Sequence, residues 1–547
     1  MIIDGRSVPN NTLIETDVCI VGAGVAGVTL ARELRGTDLR VCVLESGGLK
    51  PDSSTQSLCG GENVGHPYFP LDTARSRNFG GSSCRWLAEL GDGRLGARLR
   101  PLDAIDFEKR DWIPYSGWPI DKKHLDPFYE RAQTICKVGP YSYEVEDWED
   151  PEQTPRFPVR TDRVKTVIFQ FCSRDVFGKQ YREEIRDAPN ITTYLYATAT
   201  NIETSQYLET ASGIRVACLN GKGFTVQARL YVLALGGIET ARLLLLSRGT
   251  QKSGLGNQHD LVGRFFMEHP HLSSGLFIPN DDKLFRAVRL YSTHIQNGTP
   301  IMGQIALSDE VLRQEQLLNY SMHCAPVGSL GVQSSISGGV DTVKALGLAL
   351  RHGDVEEFNQ QLSTLFPTIG ETSIALYRKF MRAFKFLQGF ETVKLFRVRH
   401  MTEQAPNPSS RVTLCDERDA LGQPRIRLDW RLSAQDMRSM IRAQEIIDDE
   451  FRRAGLGALK IELQDETPPP HLKGGWHHMG TTRMHIEPKQ GVVDEHCRIH
   501  GMRNVFIAGS SVFPTAGYAN PSLTVVALSV RLADHIKQLM GRPACVN

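Results

Sequence analysis

The sequence predicts an α/β protein, α+β overall, in which a Rossmann-like dinucleotide-binding unit is interleaved with a second unit of strands and helices. Three observations carry that prediction. The run Gly22-Ala23-Gly24-Val25-Ala26-Gly27 follows apolar Val18-Cys19-Ile20-Val21 and opens a helical pattern. From about Pro270 to Gln464 the chain changes to alternating strand-like segments mixed with helical stretches. From Gly474 onward, glycine turns and short strands return. At 547 residues the chain is too long for one simple core, so two or three domains are expected.

Taken in order, Thr16 to Val21 reads as a buried strand. Gly27 to about Gly36 reads as a helix with Val28, Leu30, Ala31 and Leu34 on its apolar face, and Arg40 to Leu44 as a second strand ending at Glu45. This is a β-α-β unit of the usual ~30 residues. Its glycines, Gly22, Gly24 and Gly27, allow a tight turn, close backbone approach to a pyrophosphate and close helix packing. The helix N-terminus offers partial positive charge to phosphate, and Glu45 stands where a carboxylate accepts from a ribose diol. The unit by itself suits NAD and FAD equally.

Leu49 to Pro70 is rich in Gly, Ser and Pro and reads as loop. In Phe79-Gly80-Gly81-Ser82-Ser83-Cys84-Arg85-Trp86, paired glycines and serines suit either a loop under a planar ligand or a plain turn. Thr192 to Ile202 alternates like a strand, and a hairpin is expected from Ile202 to Val226. Leu230 to Leu235, closed by Gly236-Gly237, reads as a buried strand opening a helix, either a second ligand contact or a third packing unit. Further strands are expected at Ser273 to Phe277, Thr299 to Leu307, Asn319 to Val327, Arg411 to Leu414 and Arg425 to Leu432. Helices are expected at Ser433 to Arg453 and Leu523 to Ile536, and residues 329–387 read as an insertion or lid.

Composition narrows the function classes. Hydrophobic content of 41%, charged content of 23% and a net charge of +1 are those of an ordinary globular protein, without the basic excess of a nucleic-acid or membrane surface. No stretch reaches the ~18 apolar residues of a membrane span. The first residues carry Asp4, Arg6 and Glu15 and no apolar core of a secretory signal. Eleven cysteines without CxxC spacing point to reduced thiols and a cytoplasmic setting, with no metal cluster.

Several ordered motifs resemble the glucose-methanol-choline (GMC) flavin oxidoreductases. They are the N-terminal glycines with Glu45, the loop Gly80-Gly81-Ser82-Ser83, and Gly254-Leu255-Gly256-Asn257 through Val262-Gly263-Arg264. Pro406-Asn407-Pro408-Ser409-Ser410-Arg411, His477-His478-Met479-Gly480-Thr481-Thr482-Arg483-Met484 and Val492-Val493-Asp494 continue the match, and Asn504 to Thr524 completes it. The histidine and ANPSLT segments look most like the pyranose oxidase and glycoside oxidoreductase branch.

The resemblance implies FAD as hydride acceptor and a substrate held between flavin and a large, mostly antiparallel sheet. It implies an FAD-binding domain of residues 1–160, 190–268 and 474–547, and a substrate domain of residues 161–189 and 269–473. Gly80, Gly81, Ser82 and Ser83 would lie under the flavin, Ala199 at the adenine, and Gly509 and Ser510 at the ribityl-phosphate chain. Asn520, Pro521 and Thr524 would lie along the pyrimidine side. Relatives that bond flavin covalently carry a histidine near Arg85; none occurs between Phe79 and Leu90, so FAD is expected to be noncovalent.

Alcohol oxidation needs a base within ~2.6–3.2 Å of the hydroxyl, and histidine, with an ordinary pKa of ~6.5, suits it. Register within the motif makes His477 the base and Asn520 the orienting amide. His478 is expected to support it or touch substrate. Trp476, Tyr518 and Gln404 are further substrate candidates, and His269, His271 and His500 are expected to be structural. The expected substrate is a small-molecule alcohol, a sugar or glycoside secondary hydroxyl, with a natural-product or sterol-like alcohol and a non-redox lyase use as alternatives. Oxygen, a quinone or a protein carrier all remain open as electron acceptor.

Overall fold

A computed structural model describes residues 1–205, 209–249, 251–280, 284, 288–326, 396–463 and 465–541. The expected insertion or lid at 329–387 lies outside the described residues.

An eight-stranded sheet takes up the N-terminal unit. Its order is Ile2–Asp4, Ile191–Leu195, Val41–Leu44, Thr12–Val21, Gly223–Leu233, Ala211–Ala217 and Thr198–Thr204, with Val505–Ile507 beside the end of Gly223–Leu233. The central pairs are parallel and the hairpin strands antiparallel. Val41–Leu44 is buried along its whole length, as a parallel strand covered on both faces must be. The expected strand from Thr192 to Ile202 is broken in two at Tyr196, which takes a left-handed φ of 55°. The helices Val25–Glu33, Lys122–Ile135 and Ser522–Gly541 pack together over one face, so both ends of the chain share a core.

The second sheet is nine-stranded and antiparallel throughout. It runs Gly457–Lys460, His271–Pro279, Phe396–Thr402, Tyr320–Pro326, Thr299–Leu307, Val164–Ser173, Leu95–Leu99 and Ala88–Glu89, with His294–Gln296 paired to Thr299–Leu307. The last two strands of that row come from a part of the chain between two elements of the first unit. Helix Ala434–Arg453 covers the sheet with Met437, Met440, Ala443, Ile447 and Phe451, and starts at a capping box between Ser433 and Asp436. A small third sheet joins Arg411–Arg418, Pro424–Asp429 and Gly61–Asn63.

No helix among the described residues is long and apolar enough to cross a membrane. The ten described cysteines are all free thiols.

Candidate active site

The glycine loop forms an open cradle. A Cβ on Gly27 would stand 1.8 Å from the Gly22 carbonyl oxygen, so only glycine lets the helix seat on the loop. Gly24 caps Val25–Glu33 with no side-chain hydrogen bond, and the space beside it is open to 4 Å. The first-turn amides thus face room for a phosphate. Gly81 lies over this loop, its Cβ direction 3.0 Å from the Gly24 Cα. Ser83 Oγ is occupied within the turn, donating to the Gly80 carbonyl at 2.7 Å, while Ser82 is exposed.

Glu45 is buried, accepting from the Ala23 and Gly47 amides at 3.0 and 2.8 Å, and burial raises its pKa. Ala199 lines a narrow cleft with Leu44, Ser46, Arg77, Thr198 and Leu235. Gly509 also borders open space, and Ser510 Oγ donates to the His478 carbonyl at 2.7 Å. Thr524 is turned inward, its hydroxyl 2.8 Å from that of Tyr129. Asn520 and Pro521 lead into the last helix, and Asn520 Oδ1 is buried without a partner. An open phosphate-sized cradle, a cleft at the carboxyl ends of parallel strands and an orphaned amide oxygen fit FAD. Arg85 points outward, donating to the Thr73 carbonyl at 2.7 Å.

The histidine motif is delivered by a backbone ladder. Met267 and Met479 exchange both amide hydrogen bonds at 3.0 Å, and His271 pairs with Lys473 in the same way at 2.8 and 3.1 Å. This ladder brings together residues more than 200 positions apart. His477 Nδ1 lies 2.9 Å from His269 Nδ1, and His477 Nε2 lies 3.3 Å from Asn520 Nδ2. His269 Nε2 faces the Ala516 carbonyl at 3.3 Å, so that nitrogen carries the proton. Burial pushes the His269 pKa down to about 4, so the ring is neutral and its Nδ1 accepts. His477 therefore donates from Nδ1, and its Nε2 holds the free lone pair toward Asn520. Burial first, then His269, His271, Arg98 and His478, holds the His477 pKa well below the usual value. The resting ring is neutral, the state a base requires.

Glu268 anchors the loop. It is fully buried, and its Oε2 accepts from the amides of His477, Gly475 and His269 at 2.8, 2.9 and 3.2 Å. Its Oε1 accepts from the Tyr68 hydroxyl, which lies 2.8 Å from His478 Nε2. Burial raises the Glu268 pKa to about 7 against these donors. The approach depends on Gly474 and Gly475: a Cβ would stand 2.7 Å from the Glu268 carboxyl carbon or 2.8 Å from His271 Nε2.

Several expectations change. His269 and His271, expected to be structural, both face the His477 ring, with centroids 4.9 and 6.0 Å away. His500 does stand apart, held by the His485 carbonyl. His478 is 8% exposed and engaged with Tyr68, which makes it a support. Gln404, a candidate substrate contact, is fully buried and spends its amide on the Glu268 N–H, the Trp430 indole and the Arg431 carbonyl. Trp476 is 40% exposed and stacks on Phe69 at 4.5 Å. Tyr518 is buried against Phe169 on the second sheet, with ring centroids 6.2 Å apart.

Comparison with known proteins gives the family and the fold. Residues 17–251 match the FAD dependent oxidoreductase family model and residues 406–529 the GMC oxidoreductase model. The chain is 25% identical to the fructose dehydrogenase large subunit of Gluconobacter japonicus, over 96% of this chain and 98% of that one. It is 23% identical to paromamine 6'-oxidase of Streptomyces fradiae, over 95% and 91%. Formate oxidase of Aspergillus oryzae RIB40 superposes with a TM-score of 0.51 at 16% identity, over 97% and 99%, and shares the fold.

Proposed function

The chain belongs to the GMC family and is an FAD-dependent, alcohol-oxidising enzyme, and from that premise we propose that it oxidises a ring hydroxyl of a sugar or glycoside with His477 as the base. The observation that carries the reading is the His477 Nε2 lone pair facing the Asn520 amide at 3.3 Å, beside the orphaned Asn520 Oδ1. Bound FAD supplies the acceptor for the carbinol hydride. His477 Nε2 takes the hydroxyl proton, and Asn520 Nδ2 donates to the oxygen as negative charge develops there. The resulting imidazolium is steadied at Nδ1 by His269, while Glu268 and Tyr68 keep the loop in register. Sugar and glycoside substrates are supported by the names of the two relatives, fructose dehydrogenase and paromamine 6'-oxidase.

The test is anaerobic mixing of the holoenzyme with a panel of sugars, glycosides and apolar alcohols, followed by the flavin absorbance. Bleaching by sugars or glycosides is expected, and His477→Ala should slow it ~10²–10⁴-fold with FAD still bound. Bleaching by apolar alcohols alone would overturn the sugar reading, and normal bleaching in His477→Ala would overturn the base. We also propose that FAD is held noncovalently, because no histidine occurs between Phe79 and Leu90 and Arg85 turns outward. Acid precipitation should leave the yellow colour in the supernatant; colour in the pellet rejects this.

A further inference from the structure

The second sheet turns one face toward His477, and the register shows which side chains lie on it. Directly opposed residues of antiparallel strands share a face, and so do alternate residues along a strand. Arg98 lies opposite Phe171, and Phe169, on the same face, lies opposite Met302. Val167 lies opposite Gln304, and Ala306, two residues on, lies opposite Ser321. Two residues further, His323 lies opposite Arg399, and Met401 on that strand lies opposite His271. Arg98, His323, Arg399 and His271 therefore share one face. His271 meets the His477 ring from this face, and Phe169 meets Tyr518, two residues before Asn520.

Three polar groups on this face, those of Arg98, His271 and His323, find no hydrogen-bond partner at a named atom among the described residues. Arg98 is 5% exposed, and its guanidinium makes no hydrogen bond or ion pair with any described residue. Its neighbour is the Phe169 ring, with 5.8 Å from guanidinium carbon to centroid. His271 Nε2 and His323 Nδ1 are buried without partners as well. A buried guanidinium without a counter-ion is costly, and a folded chain keeps one where a ligand completes it.

We propose that this face binds a compact oxyanion, a carboxylate or phosphate carried by the alcohol substrate, with Arg98 as counter-ion and His271 and His323 as hydrogen-bond partners. The proposal rests on the alcohol-oxidation reading and narrows it to acidic sugars or glycosides. Burial lowers the Arg98 pKa only to about 10, so the charge is present at neutral pH. Burial drives His271 to about 3 and His323 well below its usual value, so each brings a neutral ring with one N–H to offer. The same charge disfavours cationic alcohols.

The test compares matched substrates in anaerobic flavin reduction by the holoenzyme: methyl glucuronide against methyl glucoside, and glucose 6-phosphate against glucose. In the native enzyme kcat/KM should favour at least one anion over its neutral partner by about tenfold or more, and Arg98→Met should lower that ratio about tenfold. The pair with the larger ratio identifies carboxylate or phosphate. Arg98→Met should melt at or above the native temperature, because it removes an unmatched buried charge. A ratio at or below one for both pairs, an unchanged ratio in Arg98→Met, or a clear fall in its melting temperature would overturn the proposal. If no alcohol of any charge bleaches the flavin, the alcohol reading fails by itself. Binding then decides the subsite: glucuronate or inorganic phosphate should perturb the flavin spectrum of the native protein and not of Arg98→Met, and equal effects, or none, reject it.

Discussion

Two groups of buried arginines, one beside each large sheet, are treated in opposite ways. At the first, Glu239 on helix Gly236–Leu246 meets Arg75 and Arg77 at 2.5 Å each and Arg242 at 3.6 Å. Arg242 also reaches Asp419 at 2.7 Å, and the Leu58 and Pro424 carbonyls take further N–H groups from it. The three arginines hold the Glu239 pKa well below its ordinary value against the pull of burial. At the second sheet, Arg98 has no such partner among the described residues. Burial alone does not separate these arginines, since all are under 10% exposed. What separates them is whether the chain supplies the anion. A matched network holds a shape, here the wall of the Ala199 cleft, whereas an unmatched charge is shaped for something that arrives.

The comparison is broken most directly at Glu239. Glu239→Gln leaves Arg75 and Arg77 buried without their carboxylate and should cost about 3–5 kcal/mol of stability, measured by chemical denaturation of the holoenzyme. Flavin bleaching per folded, FAD-loaded molecule should change little. A stable Glu239→Gln protein with impaired bleaching would reverse the assignment and make the first network part of the reaction.

Both ends of the site were legible in the sequence because their chemistry is written in short local runs. Gly22, Gly24 and Gly27 are demanded by one turn and one helix start, and His477 and Asn520 stand inside compact motifs. Glu268, His269, Tyr68 and Arg98 were not, because each reaches the site through tertiary pairing; His269 and His477 are 208 positions apart. One signal was available. Glu268-His269 interrupts the apolar run Phe265-Phe266-Met267 just before a strand, and two titratable residues inside a buried segment need partners. A polar residue beside a motif makes Gln404 a substrate candidate, whereas its neighbours in space are Glu268, Trp430 and the Arg431 carbonyl. The helix Lys122–Ile135 carries Pro127 and the strand Val164–Ser173 holds Lys165, Thr166 and Gln170, so neither offered a clean period.

Glu268 offers the finer test, since its carboxylate is matched by donors but by no cation. Burial raises its pKa from 4.5 to about 7, so the folded state favours the protonated form. The stability this contributes is full below pH 4.5 and is lost as pH rises through 7, to a total on the order of 3 kcal/mol. The buried histidines act in the opposite sense. His269, His271, His400 and His478 are depressed to about 4, 3, 4 and 3, so their contribution is present above pH 6.5 and disappears as pH falls toward those values. A single stability curve mixes the two, but the difference between native and Glu268→Gln isolates the carboxyl. Gln keeps an oxygen for the three amides and offers Nε2–H to Tyr68, so the loop geometry survives. The native protein should lose stability relative to Glu268→Gln between pH 4.5 and 7 and run parallel to it below. Parallel curves across the whole range would show that the amides alone satisfy the charge, and Glu268 would then join Glu239 as a matched group.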